Sequence, residues 1–395
     1  MNQYIFILGR EKEIAYAELC SILEPNNLTL LDQSNIAIYQ NSDLPEKIID
    51  RLGGTIKIGK ILGVIDLFNL AKIKNLITEI IQKEHLDNTK MNFGLSYYGA
   101  ITRFSKINKL GFEIKNKLKK QFNIRFIQNQ EKELNAATII NNNLTKLGNL
   151  ELLLISGDKE QIFLGKTIQV QNINNYSKRD FDRPNRDSRV GMLPPKLAQI
   201  IINLALYRLK NKKNLTVLDP FCGTGVVLQE AKLMNLNTIG SDIDKKMIQY
   251  TKNNLKWLVN RFNLENLTTS KFIVGDARKL NWPKFDLIAS EIYLGNPLQG
   301  KVSINQVNEI KIEIESLLKD FLTNLYPQIS QKITICLAIP VWNINGKNLE
   351  YLPIVDQLKN LGYNLISCKG INPQKLIYIR SNQTVGRQLI LLEKE

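Results

Sequence analysis

The chain has little cysteine and histidine for its length. Its 395 residues include four cysteines and a single histidine, His85, in the segment QKEHLDN. The cysteines lie far apart and form no CxxC pair; they are Cys20, Cys222, Cys336 and Cys368. A zinc site needs several suitably spaced cysteine or histidine ligands. We therefore expect no metal site and reduced thiols, and we interpret His85 as a surface or capping residue at a helix end.

Long apolar runs are also missing. The run YIFIL at residues 4–8 has five residues and is followed by Gly9, Arg10 and Glu11. The apolar core of a signal peptide is longer than this, and a membrane-spanning helix needs roughly 18 or more apolar residues. We expect a soluble, cytoplasmic protein without a membrane partner.

Acidic residues are outnumbered by basic ones. Lys and Arg total 53, Asp and Glu total 37, and the net charge at pH 7 is +16. Such a balance suits a polyanionic partner such as a nucleic acid. A solvated lysine surface is the alternative explanation of the same composition.

The order of the predicted elements indicates two or three domains, which the length of the chain allows. Short strands and helices alternate over about the first 165 residues, and this pattern suggests small α/β layers, with residues 152–155 and 161–170 forming a hairpin. Residues 171–190, QNINNYSKRDFDRPNRDSRV, are polar and are interpreted as a linker. From Leu193 onward, regular strand–helix alternation predicts a doubly wound, mainly parallel sheet with its ligand site at the carboxyl ends of the strands.

The motif VLDPFCGTG at residues 217–225 is the first candidate for that site. A strand is expected to end at Asp219, and Gly223 and Gly225 can form the tight turn into the next helix. The motif is neither the GxGxxG fingerprint of dinucleotide binding nor a P-loop, because it has two glycines and no lysine after them. It therefore fits S-adenosylmethionine better than NAD.

Two further acidic residues follow predicted strands. Asp242 ends TIGSD and can accept hydrogen bonds from ribose hydroxyls, and Asp276 in VGDA can face the edge of an adenine. Each acid by itself could be a helix cap, and Asp276 is the strongest case for that alternative. The recurrence of acids at successive strand ends indicates a nucleoside site.

Several segments resemble one known family. VGMLPPKLAQIIINLA, LDPFCGTGVVLQEA and IGSDID are similar to motifs of the class I methyltransferase domain in THUMP-containing tRNA guanine-N2 methyltransferases. The segments YIFILGREKEIAYAEL, LGGTIKIGKIL, NFGLSYYG and VGRQLILLEK extend the resemblance over almost the whole chain. The family implies an α/β protein with an N-terminal ferredoxin-like domain, a THUMP RNA-binding domain and a class I (Rossmann-like) methyltransferase domain with a seven-stranded, mainly parallel sheet. The corresponding ranges are 1–60, 61–170, a linker at 171–190, and 191–395.

The resemblance also assigns cofactor contacts. Asp219, Gly223 and Gly225 would contact the methionyl portion of S-adenosylmethionine, Asp242 its ribose and Asp276 its adenine. The segment from Met192 to Lys196 would close the pocket. The other residues expected at the cofactor are Phe221, Ile243, Ala277 and Pro194.

A basic segment in the THUMP-like region is the candidate RNA-binding surface. Residues 103–125 contain a single acid, Glu113, and eight basic residues: Arg103, Lys106, Lys109, Lys115, Lys117, Lys119, Lys120 and Arg125. We expect them to bind tRNA phosphates, because so many like charges destabilise a helix unless something offsets them. A solvated lysine face is the alternative. The interleaved aromatic residues are interpreted as core; they are Tyr97, Tyr98, Phe104, Phe112 and Phe122. Basic residues of the linker could extend the surface; they are Lys178, Arg179, Arg183, Arg186 and Arg189.

The reaction-centre loop departs from the family pattern. In the family, the fourth strand of the catalytic domain ends with Asp or Asn, two prolines and an aromatic residue. In FDLIASEIYLGNPLQG, residues 285–300, these positions are occupied by Glu291, Ile292, Tyr293 and Leu294. Glu291 can supply the carboxylate that orients the guanine amine and collects its proton, and Tyr293 could stack on the flipped base.

Two alternatives stay open for this loop. Asn296, followed by Pro297, offers an amide in a second register. Glu291 could also cap the following helix or pair with a nearby basic residue.

The sequence thus favours a methyltransferase acting on the N2 amine of a guanosine in tRNA, near position ten by the resemblance. An RNA-binding protein that keeps the cofactor pocket with weak or no catalysis is the alternative, and a DNA amino methyltransferase is a third hypothesis. The expected partner is tRNA, with an accessory protein subunit as a further candidate.

Overall fold

The structure, a computed structural model, describes most of the chain. The described residues are 2–31, 34–41, 43–66, 68–99, 104–157, 161–187, 192–209, 213–265, 268–296, 303–344, 349–380 and 383–395. They form two compact units. The first contains Met1–Lys12, Asn26–Asp50 and Thr55–Ile173, and the second contains Glu13–Pro25, Arg51–Gly54 and Asn174–Glu395.

The first unit is built on one sheet of eight strands. These are β1 (Asn2–Leu8), β2 (Leu28–Leu30), β3 (Ile36–Asn41), β4 (Thr55–Ile65), β5 (Met91–Tyr98), β6 (Ile124–Ile127), β7 (Leu150–Ser156) and β8 (Ile162–Val170). Their order is β2-β3-β1-β4-β8-β7-β5-β6. The expected hairpin is confirmed, since β7 and β8 pair antiparallel. The domain boundary expected at residue 60 falls inside β4, which pairs with both β1 and β8.

The described residues of this unit form three α-helices: α2 (Leu70–Glu84), α3 (Phe104–Leu118) and α4 (Ala136–Asn141). In α3 the buried residues Ile107, Leu110, Ile114 and Leu118 recur every three or four positions, so they form one apolar stripe that packs in the core under the sheet. The lysines of α3 occupy the remaining positions, and the helix is therefore amphipathic.

The aromatic residues interpreted as core differ in burial. Tyr97 is buried, Tyr98 and Phe122 are half-buried, and Phe112 is 40% exposed. The side chain of Phe104 lies outside the part of the chain that the structure describes. The core interpretation thus fits Tyr97 best, and Phe112 least.

The second unit carries a sheet of nine strands. These are β9 (Thr216–Asp219), β10 (Asn237–Asp242), β11 (Ser270–Val274), β12 (Leu287–Glu291), β13 (Thr334–Asn343), β14 (Leu349–Glu350), β15 (Tyr363–Leu365), β16 (Ile377–Tyr378) and β17 (Val385–Lys394). The main path is β11-β10-β9-β12-β13-β17-β15; β14 pairs with β13 and β16 with β17. The pairs from β11 to β13 are parallel, while β17 is antiparallel to β13 and β15. The pairs on the main path are mainly parallel, as expected. The sheet differs from the seven-stranded expectation, because the described residues form nine strands: seven on the main path, and the two-residue strands β14 and β16 beside it.

Among the described residues, the helices of the second unit are α1 (Lys12–Ile22), α5 (Ile173–Phe181), α6 (Pro195–Ala205), α7 (Val226–Leu233), α8 (Lys245–Phe262) and α9 (Ile304–Leu325). The first residue of α1, Lys12, and the first residue of α5, Ile173, are counted with the first unit. Caps fix two of the helix starts: Asp244 accepts a hydrogen bond from the backbone N–H of Lys246, and Ser303 forms a capping box with Gln306.

The stretch interpreted as a linker contains α5. The sequence pattern did not predict this helix, because the contacts that its buried side chains make are polar rather than apolar. Arg179 Nε donates a 2.7 Å hydrogen bond to Glu230 Oε1, and the Tyr176 hydroxyl bonds to the Gln199 side chain. A helix that is stabilised by polar contacts has no stripe of apolar residues by which its sequence would indicate it.

No helix within the described ranges is long and apolar enough to cross a membrane.

Candidate active site

A cavity of about 370 Å³ opens at the carboxyl ends of the parallel strands of the second unit. The strand order reverses between β9 and β12, and ligands of open α/β sheets bind at such a switch point. Of the residues expected at the cofactor, seven line this cavity: Asp219, Phe221, Gly223, Asp242, Ile243, Asp276 and Ala277. Gly225 and Pro194 are not part of its lining, although Leu193, the neighbour of Pro194, is.

The loop between β9 and α7 forms one wall. Gly223 has a φ of +51°, and a Cβ added there would meet no atom within 4 Å. Gly225 has a φ of +83° at the N-cap of α7, and its Cβ would lie 2.7 Å from Thr251 Cγ2. Gly223 thus leaves bare backbone facing open space for a ligand, whereas Gly225 allows the close approach of α7 to α8.

Asp219 is the most deeply buried acid of the cavity, at 2% exposure. Ser290 Oγ donates a 2.5 Å hydrogen bond to its Oδ1, and the Phe221 N–H donates a 3.3 Å bond to the same atom. Burial raises the pKa of Asp219 to about 7, although both hydrogen bonds lower it. Ser290 was not among the expected site residues. Its signal in the sequence is a polar residue within the apolar strand LIAS.

Asp242 joins β10 to the glycine loop. Its Oδ2 accepts a 3.0 Å hydrogen bond from the Gly223 N–H, and its Oδ1 accepts a 2.9 Å bond from the Asp244 N–H. Burial raises the pKa of this carboxyl above its usual value. The side chain is therefore fixed at the cavity and keeps lone pairs that ribose hydroxyls can use.

Asp276 lies at the cavity but is engaged by its neighbour. The guanidinium of Arg278 binds it in a fork, with Nη2 at 2.7 Å from Oδ2 and Nε at 3.0 Å from Oδ1. Its Oδ1 also accepts from the Arg278 N–H, which closes a turn. No helix begins at Asp276 in the described part of the chain, so it is not the helix cap that was the alternative for this residue. Hydrogen bonds from Arg278 lower the pKa of Asp276. An adenine amine would have to share this carboxylate with Arg278.

The charge of the cavity is opposite to that of the chain. Among the described residues its lining has one basic side chain, Arg278, and five acids: Asp219, Asp242, Asp244, Asp276 and Glu291. Such a site suits a ligand that carries positive charge, and it disfavours the pyrophosphate of a dinucleotide. S-adenosylmethionine carries a sulfonium and an ammonium group. The cavity also holds an apolar surface for a base, because Ile243 is 69% exposed and belongs to its lining.

Glu291 is the last residue of β12 and lines the cavity beside Ile292 and Tyr293. Its Oε1 accepts a 2.8 Å hydrogen bond from Nε of Arg387. The side chains of the pair are 11% and 8% exposed, respectively. The alternative in which Glu291 pairs with a basic residue is thus present in the structure, yet Glu291 itself lines the cavity.

Among the residues that follow Glu291, some line the cavity and others are exposed to solvent. Tyr293 is half-buried and lines the cavity, and burial raises its pKa, with a smaller contribution from Glu313. Asn296 is exposed and is not part of the lining. Pro297, the second residue of the alternative register, lies outside the described residues. The structure therefore brings Glu291 and Tyr293 to the cavity, but not Asn296.

The basic segment of the first unit lies on α3 and the residues after it. Lys115 is half-buried, and six basic side chains of the segment are exposed: Lys106, Lys109, Lys117, Lys119, Lys120 and Arg125. Within the described part of the chain, none of these seven forms an ion pair. Glu113 pairs with Lys74 at 2.6 Å, so it does not neutralise them. Arg103 lies outside the described residues.

Arg183 has a different environment from the one expected of an RNA contact. It is 3% exposed, and its three guanidinium nitrogens have no hydrogen-bond partner among the described residues. Burial lowers its pKa, while Asp180 and Glu230 act in the opposite direction. Of the other linker residues, Arg179 is buried against Glu230, and Arg189 lies outside the described residues.

Comparisons with known proteins bear on the family and the fold. The family described as "Methyltransferase domain" matches residues 211–332, and the one described as "DNA methylase" matches residues 59–253. The fold is similar to TrmN from Thermus thermophilus (15% identity, all of both chains, TM-score 0.53) and to SMU.472, a putative methyltransferase complexed with SAH (10% identity, 100% of this chain and 97% of the other, TM-score 0.50). Fold and cavity define a methyltransferase whose cofactor is S-adenosylmethionine.

Relatives narrow this class. The tRNA (guanine(10)-N2)-dimethyltransferase of Methanocaldococcus jannaschii is 27% identical, over 78% of this chain and 86% of its own. That of Methanothermobacter thermautotrophicus is 32% identical, over 38% and 39%. The probable tRNA (guanine(10)-N2)-dimethyltransferase of Methanothermococcus thermolithotrophicus is 36% identical, over 28% of this chain and 68% of its own. The chain belongs to this family of tRNA methyltransferases.

Proposed function

We propose that the protein transfers the methyl group of S-adenosylmethionine to the exocyclic N2 amine of a guanosine in tRNA, near position ten. The observation that carries the proposal is the Glu291 carboxylate in the lining of an acidic cavity. The names of the relatives support the substrate, and the basic surface of the first unit supports a polyanionic partner.

The cofactor would be held by the residues of the cavity lining. Asp242 would accept from its ribose, the apolar side chain of Ile243 would pack against its base, and Gly223 would leave room for its methionyl portion. When bound, S-adenosylmethionine supplies a methyl group on a positively charged sulfur. The acids of the lining favour that charge, and Asp219 does so more strongly once it is ionised.

Glu291 would act on the guanine amine. An exocyclic amine is a weak nucleophile and mainly needs to be held in line with the methyl group. A carboxylate that accepts a hydrogen bond from the amine does this, and it can receive the proton that leaves nitrogen when the new N–C bond has formed. The electron pair of the C–S bond would remain on sulfur when the methyl group is transferred. Tyr293 would stack on the flipped base from the cavity wall.

The first unit would bind tRNA. We propose a ferredoxin-like domain followed by a THUMP domain within residues 1–170, with their boundary at an end of β4 rather than at residue 60, because Thr55–Ile65 is one strand; residues 171–190 and a catalytic domain at 191–395 follow. Lys106, Lys115, Lys119, Lys120 and Arg125 would contact phosphates, which fixes the position of the tRNA without reading its sequence. Arg183 would contribute only after leaving its buried position.

Two other functions make different predictions. A binding protein would bind tRNA and S-adenosylmethionine without transfer. The match of residues 59–253 to the DNA methylase family is the observation that supports the second alternative, a DNA amino methyltransferase, which would transfer the methyl group to DNA.

The test is methyl transfer from labelled S-adenosylmethionine to tRNA without modifications and, in parallel, to double-stranded DNA, followed by nucleoside analysis. N2-methylguanosine from tRNA supports the proposal. Label in DNA alone, or binding of both ligands without transfer by the chain and by the chain with added cell extract, would contradict it. The extract supplies any accessory subunit.

A further inference from the structure

A buried ion pair fixes the residue that carries the proposed chemistry. Arg387 lies on β17 opposite Pro340 of β13, and Glu291 lies on β12 opposite Ala338 of the same strand. The arginine therefore reaches across β13 to donate its 2.8 Å hydrogen bond to Glu291 Oε1. Both side chains are nearly excluded from solvent, at 8% and 11% exposure. Ion pairs of this kind are sensitive to geometry, because each charge loses its hydration.

Only one oxygen of the carboxylate is used by this pair. Glu291 Oε2 has no hydrogen-bond partner within the described ranges, and Glu291 belongs to the cavity lining. A guanidinium on one oxygen leaves the second oxygen as an acceptor with a defined direction. With one oxygen bound to Arg387 and the other without a protein donor among the described residues, the carboxylate can accept a hydrogen bond from a substrate amine and orient it.

The pair lies near a second carboxylate of the site. The negative charge of Glu291 is one of the causes that raise the pKa of Asp219, so the two carboxylates act on each other. Arg387 is the basic side chain paired with Glu291 in the described part of the chain. The guanidinium of Arg387 thus places a positive charge beside the carboxylate that acts on Asp219.

The loop after Glu291 is anchored without proline. Ile292 is 2% exposed within the hydrophobic core, and its N–H donates a 3.1 Å hydrogen bond to the carbonyl of Ala338. Gly295 then adopts a φ of +90°, with Ile310 beside it. These contacts hold the backbone and do not involve the carboxylate of Glu291. Among the described residues, Arg387 is the hydrogen-bond partner of that carboxylate and so restricts its rotation.

We infer that Arg387 is a positioning residue for methyl transfer, and that its pairing with Glu291 provides the fixed acceptor geometry that two prolines and a shorter acid would otherwise give. The inference rests on the proposed function. Arg387 touches neither the methyl group nor the amine; it acts through Glu291. Because positioning affects the transfer step, its loss changes kcat rather than the binding of either substrate.

The experiment compares wild type, Arg387→Met, Arg387→Lys, Glu291→Gln and the double variant Glu291→Gln/Arg387→Met. Each is assayed for kcat and KM with unmodified tRNA, and for the dissociation constant of S-adenosylmethionine by calorimetry. We expect Arg387→Met to lower kcat by about tenfold or more, with KM and cofactor affinity within about twofold of wild type. Arg387→Lys, which keeps the charge and one donor, should recover part of kcat. In the Glu291→Gln background, Arg387→Met should change kcat by less than about twofold, because the residue it acts through is already altered.

Arg208→Met is the matched control. Arg208 Nη2 lies 2.5 Å from Oε2 of Glu393, which is also on β17, and neither residue lines the cavity. This control should retain the kcat of wild type. A loss equal to that of Arg387→Met would attribute the effect to general damage of β17 and overturn the inference.

The outcomes separate the inference from the function. Unchanged kcat in Arg387→Met, or an equal loss in both backgrounds, overturns the role of Arg387 while an active wild type leaves the proposed function standing. A wild type that transfers no methyl to guanosine overturns the proposed function and the inference with it. If Arg387→Met fails to bind the cofactor, Arg387→Lys decides: a lowered kcat at normal cofactor affinity supports the inference, and an unchanged kcat overturns it.

Discussion

Ser290 and Asp219 lie 71 residues apart in the sequence and 2.5 Å apart in the site, with the serine hydroxyl donating to Oδ1 of the acid. The neighbouring strands β9 and β12 bring them together at the switch point of the sheet. The hydroxyl partly replaces the water that Asp219 loses on burial, so this hydrogen bond supports an acid in a place where ionisation is difficult.

Removal of the Ser290 hydroxyl should weaken cofactor binding. Ser290→Ala leaves the buried carboxyl with one donor fewer, which costs about 1–3 kcal/mol and makes its ionisation less favourable. We expect a dissociation constant for S-adenosylmethionine several-fold to about tenfold higher, measured by calorimetry. Ser21→Ala is the control, because Ser21 is also buried and donates to the Ala17 carbonyl, away from the cavity. An unchanged affinity in Ser290→Ala would show that Asp219 does not depend on this donor.

Replacement of the carboxylate at position 291 should separate transfer from binding. We expect Glu291→Ala to abolish methyl transfer while S-adenosylmethionine still binds, because the proposed mechanism gives Glu291 to the guanine amine and the glycine loop to the cofactor. Single-turnover transfer and calorimetry on the same preparation measure the two properties. Asn296→Ala is the paired variant, since Asn296 is the alternative amide. Transfer that survives in Glu291→Ala and disappears in Asn296→Ala would assign the role to Asn296.

Charge reversal on α3 should affect tRNA binding. The triple variant Lys115→Glu, Lys119→Glu and Lys120→Glu should weaken binding and flatten its dependence on salt, because fewer counterions are released when fewer phosphates are neutralised. Binding is measured at several salt concentrations. The control has the same charge change on exposed lysines of the second unit, Lys256→Glu, Lys319→Glu and Lys359→Glu. Equal slopes for the triple variant and the wild type would remove this surface from the interface.

The buried acid Glu18 should make stability depend on pH. It accepts hydrogen bonds from the N–H groups of Gly53 and Gly54 and from Asn203 Nδ2, yet burial raises its pKa to about 7. A raised folded-state pKa means that the native state keeps a proton that the unfolded chain has released. The stabilisation from this group is therefore complete below the unfolded pKa near 4.5 and is lost as the pH rises to about 7.

The loss amounts to roughly 3 kcal/mol of unfolding free energy for this residue. Urea denaturation at pH 4.5, 6 and 8 measures it. Glu18→Gln should show a smaller decrease in unfolding free energy between pH 4.5 and 8 than wild type, while Glu309→Gln, at an exposed position of α9, should follow wild type. Parallel pH profiles for Glu18→Gln and wild type would contradict the assignment.

The cofactor side of the site was predictable from the sequence because its residues follow local rules. Asp219 and Asp242 end strands of an alternating α/β pattern, and parallel strands bring such ends to one edge. The glycines between them mark a turn that only a small residue permits. The position of Asp276 at the cavity was predictable from the sequence. Its ion pair with Arg278 was not, because that pair depends on the rotamer of the arginine side chain.

The reaction-centre side was less predictable. Arg387 is 96 residues from Glu291, and only the insertion of the antiparallel strand β17 next to β13 brings the two together. The helix α5 was missed for a related reason, since its buried contacts are polar and leave no apolar periodicity. Arg183 was expected to face phosphates, but its burial depends on tertiary contacts that a charge pattern does not reveal.

The central claim is transfer to the N2 amine of guanosine, and inosine tests it directly. Inosine lacks this amine and otherwise keeps the guanine ring. The measurement is labelled methyl incorporation into an unmodified tRNA transcript and into the same transcript with inosine in place of its guanosine at position ten. We predict methylation of the first, recovered as N2-methylguanosine, and none of the second. Equal incorporation into both transcripts would contradict the account.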